Sequence, residues 1–206
     1  MMKAARTIRG VVFDMDGTLT IPFLNFKEMR RRLDLHASDD IVHKLNEWTG
    51  ERRVAAERII REMEEEALAN TQLQPNVHKL LGELQSLRIP LAILTRNAMP
   101  SVAHVLENHL PQYRFSPIIT RDFVPTKPAP DPLLHIARAW GYDPRELIMV
   151  GDAKDDLACG TQAGAVTVLL MNEANRHLQE HATIAVSDLG QVTTALVERD
   201  IVLSQA

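Results

Sequence analysis

Short apolar runs recur along the chain, and each is followed by a small polar cluster. Val11-Val12-Phe13, Leu91-Ala92-Ile93-Leu94 and Leu147-Ile148-Met149-Val150 carry no polar alternation. Runs of this kind read as strands buried on both faces of a parallel sheet. Pro117–Thr120 is a weaker run, Ala165–Leu170 a fifth strand and Ile184–Val186 a sixth. Between the runs, apolar positions repeat at helical spacing. Val77, Leu80, Leu81, Leu84 and Leu87 form a stripe after Pro75, and Val102, Val105 and Leu106 form another after Pro100. Further helices are predicted over 132–140, from about 154 to 163 and over 189–198, with a short one starting at Pro144. Gly141 and Gly164 stand where two of these should end. Strands alternating with helices predict an α/β fold, a Rossmann-like doubly wound parallel sheet with helices on both faces.

Residues 22–70 break this pattern. They are charge-rich and poor in glycine, and they read as three helices inserted after the first strand. Asn25 is placed to cap the first, from Phe26 to about Leu33. Ser38 is placed to cap the second, Asp39 to about Trp48, with Ile41, Leu45 and Trp48 on one face and Gly50 at its end. The third runs from Glu51 to about Asn70 with Ala56, Ile60, Met63 and Ala67 as its stripe, and a Glu57–Arg61 pair at helical spacing. The Glu62–Glu66 run reads as a solvated face. The expected organisation is a core of 1–21 and 71–206 and a small helical insertion of 22–70.

Composition narrows the partners. The chain has 206 residues, 45% hydrophobic and 24% charged, which suits one sizeable domain with a small insertion. A net charge of -4 gives no electrostatic footprint for nucleic acid. Cys159 is the only cysteine, which excludes an internal disulfide and argues against a cysteine-based zinc site. No apolar run approaches membrane-spanning length, and the N-terminal residues do not read as a signal peptide. The expectation is a cytoplasmic protein with no membrane partner, a monomer or homodimer.

The first strand ends in Asp14-Met15-Asp16-Gly17-Thr18. If strand conformation holds through Asp16, both carboxylates point to one side. Such a pair repels unless a cation sits between its members, and Mg²⁺ suits carboxylate oxygens; the alternative is an Asp-rich turn that caps the strand. In open α/β sheets, ligands bind at the carboxyl ends of the strands. This reading puts Thr95, Lys127 and the pair Asp152 and Asp156 at later strand ends. Singly these are a helix cap, a solvated lysine and a turn; together they form a constellation at four successive strand ends. There is no Gly-x-Gly-x-x-Gly after the first strand and no Walker sequence.

In their order and placement these residues resemble the four motifs of the haloacid dehalogenase (HAD) superfamily. Asp14-Met15-Asp16-Gly17-Thr18 resembles the first, Thr95 the second, Lys127 within Lys-Pro-Ala-Pro-Asp the third, and Gly151-Asp152 through Asp156 the fourth. The insertion at 22–70 takes the place of a C1-type cap, and the resemblance is nearest to the phosphatase branch that contains phosphoglycolate phosphatase and β-phosphoglucomutase. It implies an Mg²⁺-dependent phosphatase of small phosphorylated metabolites, working through an aspartyl phosphate. Asp14 would be the nucleophile and Asp16 the general acid and base. Asp14, the Asp16 backbone carbonyl and Asp152 would hold Mg²⁺, with Asp156 orienting the metal shell or the lysine. Thr95, the Asn97 backbone and amides near Asp16 and Gly17 would bind the phosphoryl oxygens, and Lys127 would neutralise charge. Phe23, Phe26, Arg52, Arg53 and Arg96 are candidates for substrate contact or for structural roles. A second acid at Asp16 disfavours dehalogenation, because halide leaves without a proton. A phosphomutase of the same branch and a non-catalytic phospho-acceptor are the alternatives. Thr20-Ile21-Pro22 and Ala153 depart from the family's commoner residues, and the insertion is shorter than in many relatives.

Overall fold

The computed structural model describes residues 6–22, 26–39 and 41–204. Phe23 and the expected cap Asn25 lie outside them, as does the side chain of Phe26. Contacts divide the chain into two units, Met1–Ile21 with Leu73–Ala206, and Pro22–Gln72.

The larger unit is built on six parallel strands. β1 (Arg6–Ile8) is followed by β2 (Gly10–Phe13), β3 (Leu91–Leu94), β4 (Phe115–Ile119), β5 (Leu147–Gly151), β6 (Val166–Leu170) and β7 (Ile184–Val186). β2 to β7 form one sheet in the order β4-β3-β2-β5-β6-β7. The order reverses between β2 and β5, whose registers pair Phe13 with Val150. That reversal opens a crevice at the carboxyl ends of these two strands.

Alternate residues of each strand feed opposite faces. Val11, Phe13, Ile93, Ile148 and Val150 pack with Leu80, Leu81 and Leu84 of α4 (Val77–Ser86) and with Val102 and Val105 of α5 (Met99–His109). Val12, Ala92, Leu94 and Met149 pack instead with Leu133, Ile136 and Ala137 of α6 (Asp131–Trp140) and with Cys159 of α7 (Lys154–Ala163). A sheet covered on both sides explains why its strands read as unbroken apolar runs. Gly141 and Gly164 adopt left-handed conformations at the ends of α6 and α7, as their positions predict. The last predicted helix opens with a 3₁₀ turn over Leu189–Gln191 and becomes α8 at Val192–Val197.

A second, two-stranded sheet pairs β1 with β8 (Ile201–Leu203) and was not expected from the sequence. Each strand has three residues, too few for a periodic signal. Arg6 ties this small sheet to the core, donating to the carbonyls of Arg145 (2.9 Å) and Gly164 (2.7 Å).

The smaller unit consists of α1 (Phe26–Arg32), α2 (Ile41–Glu47) and α3 (Gly50–Ala69). Met29, Leu33, Ala56 and Met63 form its core, with Ile41, Leu45 and Trp48 against them. Three expectations are corrected here. Helix α2 starts at Ile41, beyond the proposed Ser38 cap, and Asp39 accepts from the His36 amide instead (2.8 Å). Gly50 opens α3 with φ +59° rather than closing α2. Glu57 pairs with Arg53 (2.6 Å), one turn before it, rather than with Arg61. Arg53 also donates to Leu45 O, and the Arg52 guanidinium lies 4.3 Å over the Trp48 ring. Both arginines therefore hold α3 to α2.

The packing of α4 on the sheet yields a stability prediction. Leu81 is fully buried, so Leu81→Ala should cost about 2–5 kcal/mol in urea unfolding. Val197→Ala, at an exposed site, should stay within about 0.5 kcal/mol.

Candidate active site

Four loops converge at the crevice beside β2 and β5. Asp14 follows β2 directly, its amide donating to Val150 O (2.9 Å), so neighbouring strand ends fix its backbone. Lys127 reaches in from the loop after β4. Its Nζ lies 2.6 Å from Asp14 Oδ1 and 2.6 Å from Asp156 Oδ1, and all three side chains are buried. Asp156, in the first turn of α7, accepts from the Ala153 amide through its other oxygen (2.9 Å). That bond serves the helix start where Ala153 has no side chain to cap it. With both oxygens engaged, Asp156 orients Lys127.

Asp14, Asp152 and Asp156 each present a carboxylate oxygen, all within 4.8 Å of one another. Close approach of these acids depends on glycine. A Cβ on Gly17, whose φ is +89°, would overlap the Asp152 carboxylate, and one on Gly151 would overlap Asp156.

Asp16 is not one of the three acids of this cluster, and the strand conformation on which the same-side expectation was conditional does not extend to it. Strand β2 stops at Phe13, so the alternation that would align Asp14 with Asp16 is lost. Asp16 is exposed; its Oδ1 accepts from Thr20 Oγ1 (3.0 Å) and its Oδ2 from Asn97 Nδ2 (2.9 Å). Thr20 and the Asn97 amide were missed as partners, because neither bond follows from sequence spacing. Thr95 is buried at the end of β3, where its Oγ1 accepts from the Asn97 amide (3.1 Å). The Gly17 amide donates to Thr20 O (2.8 Å). These two amides, expected to cradle phosphate, are thus engaged internally. Arg96 is exposed and pairs with Asp155 (2.8 Å) at the start of α7.

Electrostatics favour a cation here. Three carboxylates share one ammonium. Burial raises the Asp14 pKa above the usual carboxylate range; Lys127 opposes this, and Asp156 and Asp152 add to it. Burial, with the Asp156 charge, likewise pushes Asp152 up to about 6. For Lys127, burial disfavours the ammonium, but Asp14 and Asp156 outweigh it and hold its pKa above the usual lysine range. The excess negative charge and the all-oxygen donor set fit a hard divalent ion such as Mg²⁺. Asp14 and Asp152 are two acids that could hold such an ion.

Comparison with known proteins gives a consistent result. The family model described as haloacid dehalogenase-like hydrolase matches residues 24–170. An uncharacterized hydrolase of Saccharomyces cerevisiae is 38% identical over 200 residues, covering 93% of this chain and 92% of its own. A phosphoglycolate phosphatase of Chromobacterium violaceum is 31% identical over 186 residues, covering 78% of this chain and 84% of its own. The crystal structure of a predicted phosphoglycolate phosphatase from Haemophilus somnus shares the fold, with a TM-score of 0.75 at 20% identity over 91% of this chain and 97% of that one. Family model, relatives and architecture agree with the motif order along the strands: the chain belongs to the haloacid dehalogenase-like hydrolases.

Proposed function

We propose that this protein is an Mg²⁺-dependent phosphatase that hydrolyses a small phosphorylated metabolite through a phosphorylated Asp14. The observation that carries this reading is the buried Lys127 held between Asp14 and Asp156, with Asp152 beside them, at the sheet's point of reversal. The 31% identity to a phosphoglycolate phosphatase makes 2-phosphoglycolate the first substrate to try.

Asp14 is an oxygen nucleophile that works as a carboxylate, so it needs no base. Lys127 fixes Oδ1 and leaves Oδ2 to attack phosphorus in line with the ester oxygen. The Asp14–phosphorus bond forms as the phosphorus–ester bond breaks, and Asp16 gives its proton to the departing alkoxide. Water then attacks the aspartyl phosphate and loses its proton to Asp16, releasing phosphate and restoring both acids. Asp14 and Asp152, with the Asp16 carbonyl, would hold Mg²⁺, which would supply charge neutralisation for the phosphoryl group. Thr95 and Asn97 contact phosphoryl oxygens in this reading, with their present hydrogen bonds exchanged for substrate. Arg96 serves substrate binding by giving up Asp155. The helical unit acts as the substrate-selecting cap.

Hydrolysis of p-nitrophenyl phosphate with Mg²⁺, followed by phosphate release from a panel beginning with 2-phosphoglycolate, tests the proposal. Stoichiometric phosphorylation without turnover would favour a phospho-acceptor instead. Asp14→Asn should fold and show no turnover on any substrate; wild-type rates in that variant would remove Asp14 as nucleophile. Asp16→Ala should lose about 10²–10⁴-fold on alkyl phosphates and far less on p-nitrophenyl phosphate, whose leaving group needs little protonation.

The raised carboxyl pKa values predict a pH-dependent metal effect. From the ordinary carboxylate range near 4 up to about 6, the metal-free fold keeps a proton on Asp152 that the unfolded chain has released. Raising pH through that window therefore removes stability, and Asp14 extends the loss in the same direction. Mg²⁺ replaces those protons. At a concentration about 100 times its dissociation constant, Mg²⁺ should add about 2.7 kcal/mol, a rise in Tm of roughly 5–10 °C, near neutral pH. The rise should shrink towards about pH 5, as differential scanning calorimetry would show.

A further inference from the structure

Asn175 follows β6 and has no part in the reaction described, yet it is the most fully engaged amide near the site. Only 7% of it is exposed. Its Nδ2 donates to Asp152 O at 2.8 Å and to Leu170 O at 2.9 Å, using both amide hydrogens. Its Oδ1 accepts from the Asn172 amide at 2.7 Å. Asn172 reciprocates, its Oδ1 accepting from the amides of Asn175 (3.0 Å) and Ala174 (2.9 Å). The Asn175 carboxamide is therefore set in one orientation before it meets Asp152.

Asp152 is where such a brace matters. The β5–β6 ladder ends at Gly151, and α7 starts only at Lys154, so the Asp152 peptide lies between two regular elements. Its carboxylate is pressed against Gly17 on one side and lies within 4.8 Å of Asp14 and Asp156 on the other. Acids this crowded repel, and relief would come from rotation of the one whose peptide is outside the ladder. The Asn175 bond to the Asp152 carbonyl opposes that rotation.

We propose that Asn175 is a positioning residue for the metal-binding carboxylate of Asp152: its amide clamps the Asp152 peptide to the end of β6 and so presets the carboxylate for a divalent cation. The proposal rests on the reading of Asp152 as an Mg²⁺ ligand. Asp or Leu at 175 approximates the shape, but neither side chain can donate to the two carbonyls.

Isothermal titration of Mg²⁺ into the full-length chain tests it without reference to turnover. Asn175→Ala and Asn175→Asp should weaken Mg²⁺ binding by about tenfold or more, the range seen when a ligand's outer partner is removed. Thr183→Ala is the structural control. It removes the contacts of Thr183 Oγ1 with the Thr167 amide and hydroxyl, near the start of β6, without touching Asp152. It should lower Tm and leave the Mg²⁺ dissociation constant unchanged. If the position 175 variants fail to fold, Asn172→Ala keeps every bond of the Asn175 side chain but removes the Oδ1 that holds the Ala174 and Asn175 backbone amides, and so should loosen the turn that carries Asn175 and weaken Mg²⁺ binding by a smaller factor. Unchanged Mg²⁺ affinity in the folded variants, or an equal loss in Thr183→Ala, would overturn the proposal. A wild-type chain that binds no Mg²⁺ would instead overturn the underlying reading of the site.

Discussion

The Lys127 ammonium, 2.6 Å from Asp14 and 2.6 Å from Asp156, is withdrawn almost wholly from water. Desolvating an ammonium costs several kcal/mol, and a buried ion pair seldom repays this better than apolar side chains of the same volume would. Stability alone does not account for it. What the lysine does is hold one oxygen of Asp14 while a second acid holds the lysine. Asp156 in turn is tied to the start of α7 through Ala153. The chain of contacts therefore runs from helix backbone to the Asp156 carboxylate to the ammonium to Asp14, and each link fixes the next. A lysine with one partner could swing with its flexible stem; between two acids it has one place to be.

Bringing those acids together depends on the topology and then on two glycines. Reversal of strand order between β2 and β5 places their carboxyl ends side by side. Side chains at Gly17 and Gly151 would fill the space that the Asp152 and Asp156 carboxylates occupy. The same crowding raises the pKa values of Asp14 and Asp152, because burial and mutual repulsion act against charge with one ammonium to offset them. A divalent ion is the economical remedy: one small particle neutralises more than a second lysine could, and it occupies less room. The close packing of the acids is thus also what would favour a hard cation among them.

How much of this was legible beforehand varied with the range of the interaction. Leu91–Leu94 and Ile184–Val186 form strands at the expected bounds, since a strand buried on both faces leaves an uninterrupted apolar run. Lys127, Thr95 and Asp152 were identifiable because topology converts their place after a strand into a place in the crevice. Relations that depend on loop conformation were not. Asp14 and Asp16 have different partners, and β2 ends at Phe13, just before the motif begins, a boundary no propensity marks. Gly50 is punctuation in either reading, and only the geometry tells an opening from a close. Arg53 has Glu57 one turn ahead, and Leu45 O behind it settles which pair forms. Asn175 belongs to the same class. Its partner lies 23 residues earlier, and an asparagine in a loop carries no mark of being buried.

The different partners of Asp14 and Asp16 also bear on the chemistry proposed for each. Asp14 faces a fixed cation, which suits a group that stays ionised until it bonds to phosphorus. Asp16 faces a hydroxyl and an amide, both neutral. A fixed ammonium beside Asp16 would oppose its protonation, and the proposed cycle needs it in both states. Thr20 is suited to such a partner because a hydroxyl can donate or accept. Its Oγ1 lies 3.0 Å from Asp16 Oδ1 and 3.3 Å from Met15 O. When Asp16 is a carboxylate, the Thr20 hydroxyl can donate to it; when Oδ1 carries a proton, the same hydroxyl can accept and turn its own hydrogen to the Met15 carbonyl. Asn97, donating from Nδ2, has no such freedom. In the proposed cycle, two acids separated by one residue would thus take different tasks through their different partners, rather than through any difference in the acids themselves.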